Sequence, residues 1–328
     1  MNDLYGRIMP ASKKQLNEKT KEIKNQAKQI EGHIENQCAH IKNQINDFEK
    51  NVKDIHEEIS ICQDSINKRL DEKTKALEKR IDRIEVCMDE LQKAIHVLDV
   101  RGRAILRASN EAVWSDVFHD AILESSWLNK KTFFPGRWAA GYPFLYALYR
   151  SLEEFHPKDI LELGLGQTTR MIGQYAEYEK KCHHIVVEHD QEWIDTFKQG
   201  FSLSTNTEII KLNIDKNSFY DTEPTTIYVD FAEKLQGRKF DLISIDAPFG
   251  GDSLVYARMD ILGILPECLK PDFVIFVDDY NRHGEQHMVE KLKGVLEENC
   301  IPYRTGIYKG NKETYMITSE SLKFLCTM

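Results

Sequence analysis

The stretch DILELGLGQTTRM, residues 159 to 171, changes its hydrophobic period halfway along. Ile160, Leu161 and Leu163 form a short apolar run, and the residues after Gly166 follow a helical pattern with a polar first turn. The order is that of a strand, a Gly-x-Gly turn and a helix. Glycines in such a turn let the backbone approach a ligand, and the amides at the helix start favour polar or anionic groups. We therefore expect this turn to bind a nucleotide-like cofactor.

The overall composition is ordinary for a globular chain with room for two units, at 328 residues, 41% hydrophobic and 30% charged. A formal charge of −9 argues against a nucleic-acid or anionic-membrane partner. Seven scattered cysteines without a CxxC motif favour a reducing compartment. The N-terminus lacks an apolar signal core, and the chain has no apolar run long enough for a membrane span. These features predict a cytoplasmic protein without a transmembrane segment.

The region from residue 13 to residue 104 carries apolar residues at alternating steps of four and three, separated by charged and amide residues. From Ile66 the next apolar seam residue is Leu70, four positions on, which is a stutter in the heptad frame. We predict a coiled-coil rod of about 85 residues and roughly 130 Å. The rod would join the chain into a homodimer or homotrimer. A hairpin within one chain is the alternative, which no turn signal favours.

The segments around this rod complete the domain organisation. Residues 1 to 12 are a tail, and Gly102 with its neighbouring arginines is expected to end the coil. Residues 105 to 157 form a helical junction rich in aromatic residues, whose side chains we expect to pack on the following domain. In the alternative interpretation, PGRWAAGY lies over the cofactor cleft, with Arg137 and Tyr142 facing the substrate.

Five apolar runs alternate with helical patterns from residue 158 to the end of the chain. The runs are DILELG, HHIVVE, TEIIKL, FDLISID and DFVIFVDD. This alternation predicts a doubly wound, Rossmann-like parallel sheet that binds ligands beyond the carboxyl ends of its strands. The final segment, YRTGIYKGNKETYMIT, predicts an antiparallel hairpin around Gly310 and Asn311. A doubly wound sheet with a terminal antiparallel hairpin is the arrangement of class I methyltransferases. A dehydrogenase would more usually have a third glycine where Thr169 stands.

Candidate cofactor residues follow from the strand ends. Glu188 comes 22 residues after Gly166, at the end of the second strand, where a carboxylate can accept hydrogen bonds from ribose hydroxyls. Asp215 follows the third strand and either contacts the adenine region or is solvated. The full predicted set is Glu162, Gly164, Gly166, Gln167, Thr168, Glu188, Asp215 and Asp246.

Candidate catalytic residues lie in SIDAPFGGDSLVYARMD (244–260) and FVDDYNRHGE (276–285). Asp246 and Asp279, at adjacent strand ends, are placed to accept a proton from a hydroxyl in methyl transfer or to hold a divalent cation. Asp246 alternatively only orients the cofactor. Arg258 and Arg282 either bind a sugar carboxylate or phosphate or pair with the aspartates. His283 is a further possible base.

These motifs resemble those of the glucuronoxylan 4-O-methyltransferase-like polysaccharide methyltransferases. The resemblance is carried by LGLGQTT at 163–169, VVEHDQEW at 186–193, IDAP-x-G followed by Arg258 and Met259, and D-x-N-R at 279–282. It implies S-adenosylmethionine as the donor and a hydroxyl of a polysaccharide or glycan precursor as the acceptor. Glycan-biosynthesis enzymes would be the partners of the rod.

Two rival functions fit the same sequence. One is a structural scaffold whose methyltransferase-like domain does not catalyse, against which the intact Gly164, Glu188, Asp246 and Asp279 argue. The other is a small-molecule O-methyltransferase that is assisted by a metal at Asp246 and Asp279.

Overall fold

The computed structural model describes residues 5–61, 67–136 and 138–327, and the chain divides into two compact units, Met1–Ser109 and Asn110–Met328. The helices are α1 (Tyr5–Ile61), α2 (Asn67–Ile122), α3 (Tyr142–Phe155), α4 (Gln167–Tyr178), α5 (Gln191–Gly200), α6 (Phe231–Leu235) and α7 (His283–Glu298). The strands are β1 (Asp159–Leu163), β2 (His183–Glu188), β3 (Thr207–Lys211), β4 (Ile214–Tyr220), β5 (Glu223–Tyr228), β6 (Phe240–Ile245), β7 (Leu269–Val277), β8 (Tyr303–Lys309) and β9 (Glu313–Ser319). Two 3₁₀ helices span Met259–Gly263 and Glu320–Thr327.

In the first unit, α1 and α2 lie side by side along one groove, as in the hairpin that is the alternative to a continuous rod. A groove of about 340 Å³ is lined by residues of both α1 and α2, namely Ile41, Gln44, Ile45, Ile84, Cys87, Met88 and Leu91. The two stretches lie at similar distances along the chain from residues 62–66, which are outside the described residues, so the helices run antiparallel. At this groove, part of the apolar seam of α1 faces part of that of α2. An attached helix is available at high effective concentration, which favours pairing within one chain.

Two further expectations concern the stutter in the coil and the end of the coil. The stutter at Ile66 lies outside the described residues. The end of the coil at Gly102 stays a prediction, and helix α2 itself continues through this glycine to Ile122. A glycine inside a helix costs only about 1 kcal/mol relative to alanine. The last turns of α2 bury Phe118 and Ile122 in the second unit, and this burial stabilises the continued helix.

The second unit contains the predicted sheet. Its seven strands have the order β3-β2-β1-β6-β7-β9-β8, in which β9 is antiparallel to its neighbours β7 and β8 and the other pairings are parallel. The five predicted apolar runs are β1, β2, β3, β6 and β7, and the hairpin around Gly310 and Asn311 joins β8 to β9. The fold is therefore mixed α/β with a mostly parallel, Rossmann-like sheet that ends in an antiparallel hairpin.

The segment between β3 and β6 differs from the expected strand-helix alternation. Strands β4 and β5 form a separate two-stranded antiparallel sheet, followed only by the short helix α6. Its side chains are mostly half-buried or exposed, so the segment lacks the strong apolar runs by which the buried strands are visible in the sequence.

Helices cover both faces of the sheet because alternate side chains of each strand point to opposite layers. Leu242, Val274 and Phe276 pack in one core cluster with α3 and α4. Ile243 and Ile275 pack in the other cluster with α7. In the described part of the chain, no helix combines the length and apolar character needed to cross a membrane.

The aromatic junction is mostly core. Phe133, Phe144 and Tyr149 are buried in the cluster that joins α3 and α4 to the sheet. Phe134 and Trp138 are the exceptions, since both are largely exposed. The glycine-rich turn, the strand ends and this exposed pair lie in the same unit.

Candidate active site

The turn predicted to bind the cofactor packs directly against the loop that follows β6. Gly164 has φ +101°, a conformation that favours glycine. A Cβ at this position would lie 2.9 Å from the Cβ of Ala247. The amide of Asp246 donates to the carbonyl of Leu163 at 3.0 Å. The backbone of the turn therefore touches the segment that carries Asp246.

The start of α4 completes this turn. The amide of Gly166 donates to Oγ1 of Thr169 at 2.8 Å, so the threonine that stands in place of a third glycine caps the helix. Thr168 is buried beside it. Oε1 of Gln167 accepts the amide of Phe134 at 3.1 Å. Gln167 thus ties the aromatic junction to the turn.

Glu188 lies at the end of β2, next to the turn. Its carboxylate accepts the amides of Leu165 at 3.1 Å, His189 at 2.6 Å and Asp190 at 3.0 Å. Burial raises the pKa of Glu188, but hydrogen bonds from the His189 side chain and from these amides outweigh it and hold the pKa below its ordinary value. An ionised acceptor therefore stands at the position predicted to hold ribose hydroxyls.

Two other predicted cofactor residues have partners elsewhere. Glu162 is fully buried within β1, and its Oε2 lies 3.0 Å from Nε2 of His184. Asp215 lies in β4, where its carboxylate accepts the amide of Asn217 at 2.9 Å and the hydroxyl of Ser218 at 2.6 Å. The structure thus gives Glu162 a core pairing and Asp215 a local turn, in keeping with the solvated alternative for Asp215.

Arg258 occupies the centre of the predicted catalytic cluster, with 2% of its surface exposed. Its Nη2 lies 3.2 Å from Oδ1 of Asp246 and 2.9 Å from Oδ2 of Asp279. Its other hydrogen bonds go to the backbone carbonyls of Ile245, Pro248 and Asp278. Arg258 therefore pairs with the aspartates, which is the second of the two roles considered for it.

The two predicted bases differ in their protonation. Burial, with the charge of Asp278, raises the pKa of Asp246 to about 7, although Arg258 and Lys312 oppose the shift. Burial also acts on Asp279, but the surrounding cations, Arg258 first, outweigh it and hold the pKa of Asp279 below its ordinary value. At neutral pH, Asp279 is ionised and Asp246 is close to its midpoint. Asp246, 21% exposed, is thus suited to exchange a proton with a ligand.

The remaining predicted catalytic residues lie at the start of α7. Nη1 of Arg282 is 3.0 Å from Oδ2 of Asp279 and 3.4 Å from Oε1 of Glu285, while 31% of the Arg282 side chain stays exposed. His283 is exposed, and its ring lies 6.4 Å from that of His287. The structure brings Arg282 into the carboxylate cluster and places His283 beside a second histidine instead.

The carboxylate cluster has the ligand chemistry of a divalent cation but not the room. Asp246, Asp278 and Asp279 each offer an oxygen within 4.8 Å of the others, and carboxylates are the usual ligands of hard cations. However, Nζ of Lys312 lies 3.0 Å from Oδ2 of Asp278 and 3.4 Å from Oδ1 of Asp279. Arg258 contacts Asp246 and Asp279 from the other side. A divalent ion would have to displace these cations, so the residues do not fit one.

Exposed aromatic rings border this cluster. The ring of Trp138 lies 5.6 Å from that of Phe249, which follows Asp246 by three residues. The guanidinium of Arg282 lies 5.7 Å from the centre of the Phe249 ring. On the side of α4, Arg170 stacks over Phe134 at 5.4 Å. Trp138 and Phe249 thus present exposed rings next to Arg282, which itself contacts Asp279.

Of the two junction residues singled out for substrate contact, Tyr142 packs among aromatic residues instead. Arg137 lies outside the described residues. Tyr142 donates its amide to Glu111 at 2.7 Å, and its ring packs 5.9 Å from Phe118 and 5.4 Å from His119. Tyr142 is therefore partly buried against the aromatic core, whereas Trp138 is exposed.

Sequence reasoning missed Lys312, Asp278, Glu285, Trp138 and Phe249 as site residues. Asp278 stands next to Asp279 at the strand end, and Phe249 fills the variable position of IDAP-x-G, so both were visible in the motifs. Lys312 lies in the hairpin loop between β8 and β9, far along the chain from the motifs. Only the pairing of β9 with β7 brings it to Asp278.

The solved structures to which this chain is similar include three methyltransferases. An O-methyltransferase from Bacillus cereus in complex with SAH is 14% identical, covers 65% of this chain and 91% of its own, and has a TM-score of 0.39. TomG from Streptomyces achromogenes is an O-methyltransferase of tomaymycin synthesis in complex with SAM. It is 12% identical, covers 64% of this chain and 89% of its own, and has a TM-score of 0.39. The SAH-bound methyltransferase PaMTH1 from Podospora anserina is 14% identical, covers 68% of this chain and 94% of its own, and has a TM-score of 0.35.

Comparisons of the sequence with protein-family models and with curated proteins find no match. The assignment of the fold depends on the strand order of this chain itself.

Replacing Arg258 by methionine should destabilise the second unit strongly. The variant leaves Asp246, Asp279 and Glu285 without their buried cation, a loss of about 3–5 kcal/mol. The pKa of each carboxyl then rises, so protonation relieves the cost at low pH and the free energy of unfolding falls as pH rises from 5.5 to 8. Urea unfolding followed by tryptophan fluorescence measures this, because all four tryptophans lie in Asn110–Met328.

The matched control is Arg238→Met, which removes an exposed pair with Glu208 and should cost at most about 1 kcal/mol. A loss for Arg258→Met that is no larger than this control, or that shrinks towards pH 8, would contradict the assigned role of the guanidinium.

Proposed function

We propose that the chain is an S-adenosylmethionine-dependent O-methyltransferase that acts on a sugar hydroxyl of a polysaccharide or glycan precursor. The observation that carries this proposal is the contact between the turn at Gly164 and the loop of Asp246. It places a carboxyl group with a pKa of about 7 next to the segment that would hold the cofactor. A transferred group and a proton acceptor are thereby brought to one edge of the sheet.

The residues around the turn fit S-adenosylmethionine. A Cβ at position 164 would press on Ala247, so glycine lets the turn lie against the loop of Asp246. The ionised carboxylate of Glu188 would accept hydrogen bonds from the ribose hydroxyls. When bound, the donor supplies an electrophilic methyl carbon on a sulfonium.

Asp246 would serve as the general base. Arg258 holds Oδ1 of Asp246 at 3.2 Å, which leaves Oδ2 for a ligand. The carboxylate of Asp246 would accept the proton of the acceptor hydroxyl as that oxygen takes up the methyl group, and the donor would leave as the neutral thioether. Asp279 stays ionised and paired with Arg258 throughout.

The border of the cluster supports a sugar acceptor. The exposed rings of Trp138 and Phe249 offer flat apolar faces against which the C–H face of a sugar ring can pack. Arg282, over Phe249 and partly exposed, would bind a carboxylate or phosphate of the glycan. A metal-assisted small-molecule reaction is less well supported, because Lys312 and Arg258 already neutralise the carboxylates.

The helical hairpin would join two copies of the chain. Ile30, Met88 and Ile95 keep 42%, 50% and 40% of their surface exposed, which a lone pair of helices leaves uncovered. A second hairpin packed on this stripe would complete a four-helix bundle. Docking of glycan-biosynthesis enzymes on the bundle and a cytoplasmic location belong to the same proposal. Free cysteines at 38, 87, 182, 268, 300 and 326 are in keeping with a reducing compartment.

Asp246→Asn should lower the rate of methyl transfer by about 10²–10⁴-fold, because the amide cannot accept the proton. Binding of S-adenosylhomocysteine, measured by calorimetry, should stay within a few-fold. In the native protein, the rate should rise with pH through about 7, as Asp246 loses its proton. The measurement is transfer of labelled methyl to a panel of glycans, with products identified by mass spectrometry. Unchanged turnover of the variant would rule out this role.

Trp138→Ala should raise the KM for the acceptor roughly tenfold, the loss of about 1.4 kcal/mol that one stacking contact supplies. The kcat and the affinity for the donor should change little. Phe219→Ala is the control, since Phe219 is an equally exposed aromatic residue on β4. Equal effects of the two variants on KM would show that Trp138 does not contact the acceptor.

Ile95→Glu should convert the dimer into monomers, because the charge would be buried where the exposed stripe of one hairpin packs on the other. Sedimentation equilibrium gives the mass, and circular dichroism checks that the helices persist. Val86→Glu is the control on the same helix, since Val86 is 57% exposed and lies outside the stripe of Ile30, Met88 and Ile95. A native protein that sediments as a monomer at micromolar concentration would refute the oligomer.

A further inference from the structure

The three aspartates of the cluster are almost fully engaged by the protein itself. Five of their six oxygens have partners: Arg258 for Oδ1 of Asp246, Thr314 and Lys312 for the two oxygens of Asp278, and Lys312 and Arg258 for those of Asp279. Among the described residues, Oδ2 of Asp246 is the oxygen for which the structure gives no protein partner. The cluster is thus organised around one open position.

Lys312 is held in this place by the fold. It lies in the loop between β8 and β9, and its carbonyl accepts the amide of Gly310 at 2.9 Å. Oε2 of Glu111 accepts the amide of Asn311 at 2.8 Å, and Nε1 of Trp114 donates to the carbonyl of Lys309 at 3.1 Å. A Cβ on Gly310 would collide with Glu111. The end of α2 therefore fixes the loop that carries the ammonium.

The ammonium is charged and largely shielded from water. The Lys312 side chain is 15% exposed, and Asp278 is fully buried. Burial lowers the pKa of Lys312, but the carboxylates of Asp278, Asp246 and Asp279 outweigh it and hold the pKa above its ordinary value. With Arg258 and Arg282, Lys312 gives three positive charges against Asp246, Asp278, Asp279 and Glu285.

We propose that Lys312, together with Arg258, is the resident cation of this site, in the place where a divalent metal ion would otherwise bind the three aspartates. Lys312 is a positioning residue: its ammonium bridges Asp278 and Asp279 and supplies a fixed positive charge to the cluster that contains Asp246. The catalytic role of Lys312 rests on the proposed methyl transfer. The expectation that Lys312 excludes a divalent ion does not depend on that function.

The test titrates the full chain with Mn²⁺ and follows the electron paramagnetic resonance of the free ion. The native protein should leave millimolar Mn²⁺ free, whereas Lys312→Ala should bind a single ion. Adding Asp278→Asn to Lys312→Ala should abolish that binding. Lys309→Ala is the control, because Lys309 is an exposed lysine of the same hairpin. Lys312→Arg should exclude the ion as the native residue does, and circular dichroism checks the fold of each variant.

A native protein that binds Mn²⁺ in a manner abolished by Asp278→Asn would overturn the proposal. A folded Lys312→Ala variant that binds no ion would also overturn it. The Mn²⁺ titrations require no methyl transfer. They therefore test the role of Lys312 even if Asp246 does not support catalysis.

Activity gives the second readout. EDTA should leave native transfer unchanged, Lys312→Ala should lose at least tenfold in rate, and Lys312→Arg should recover most of it. Loss of native activity in EDTA, restored by Mg²⁺, would contradict a resident cation. Native transfer that is absent under all conditions, with the Mn²⁺ result intact, would refute the proposed function alone.

Discussion

The guanidinium of Arg258 joins the carboxyl ends of β6 and β7. It binds Asp246 after one strand and Asp279 after the next, and it caps the backbone carbonyls between them. Each of these carboxylates alone would be costly to bury, and so would the arginine. Buried together they form a rigid edge, which fixes the loop that packs on Gly164. The candidate cofactor turn and the candidate base therefore depend on the same ion-pair network.

Charge balance in this network decides the chemistry that each group can perform. Asp279 has two arginines and a lysine within ion-pair distance and stays an anion. Asp246 has one arginine and a partial opening to water, and burial with its acidic neighbour keeps its pKa near neutrality. Neighbouring residues of one type thus acquire different roles from their surroundings, as paired carboxylates in enzymes often do.

The sequence predicted the parts of the fold that depend on local pattern. Buried strands are continuous apolar runs, so β1, β2, β3, β6 and β7 were all recognisable, as was the turn at Gly310 and Asn311. The helical hairpin was not, because a heptad seam is the same whether its partner is another chain or the same one. The β4–β5 sheet has no strong period. Arg258 and Arg282 were identified as pairing candidates, but Lys312 reaches the site only through strand pairing.

A lysine within ion-pair distance of two buried aspartates has a consequence for how the site is completed. A metal centre forms only when the folded chain binds an ion, and the concentration of that ion varies. A charge carried on a hairpin loop arrives with the fold itself, in fixed stoichiometry. On the proposed role of Lys312, there is no apo form waiting to be loaded and no wrong ion to be inserted. The activity of the site would then depend on whether the β8–β9 hairpin is folded, and not on the concentration of divalent ions.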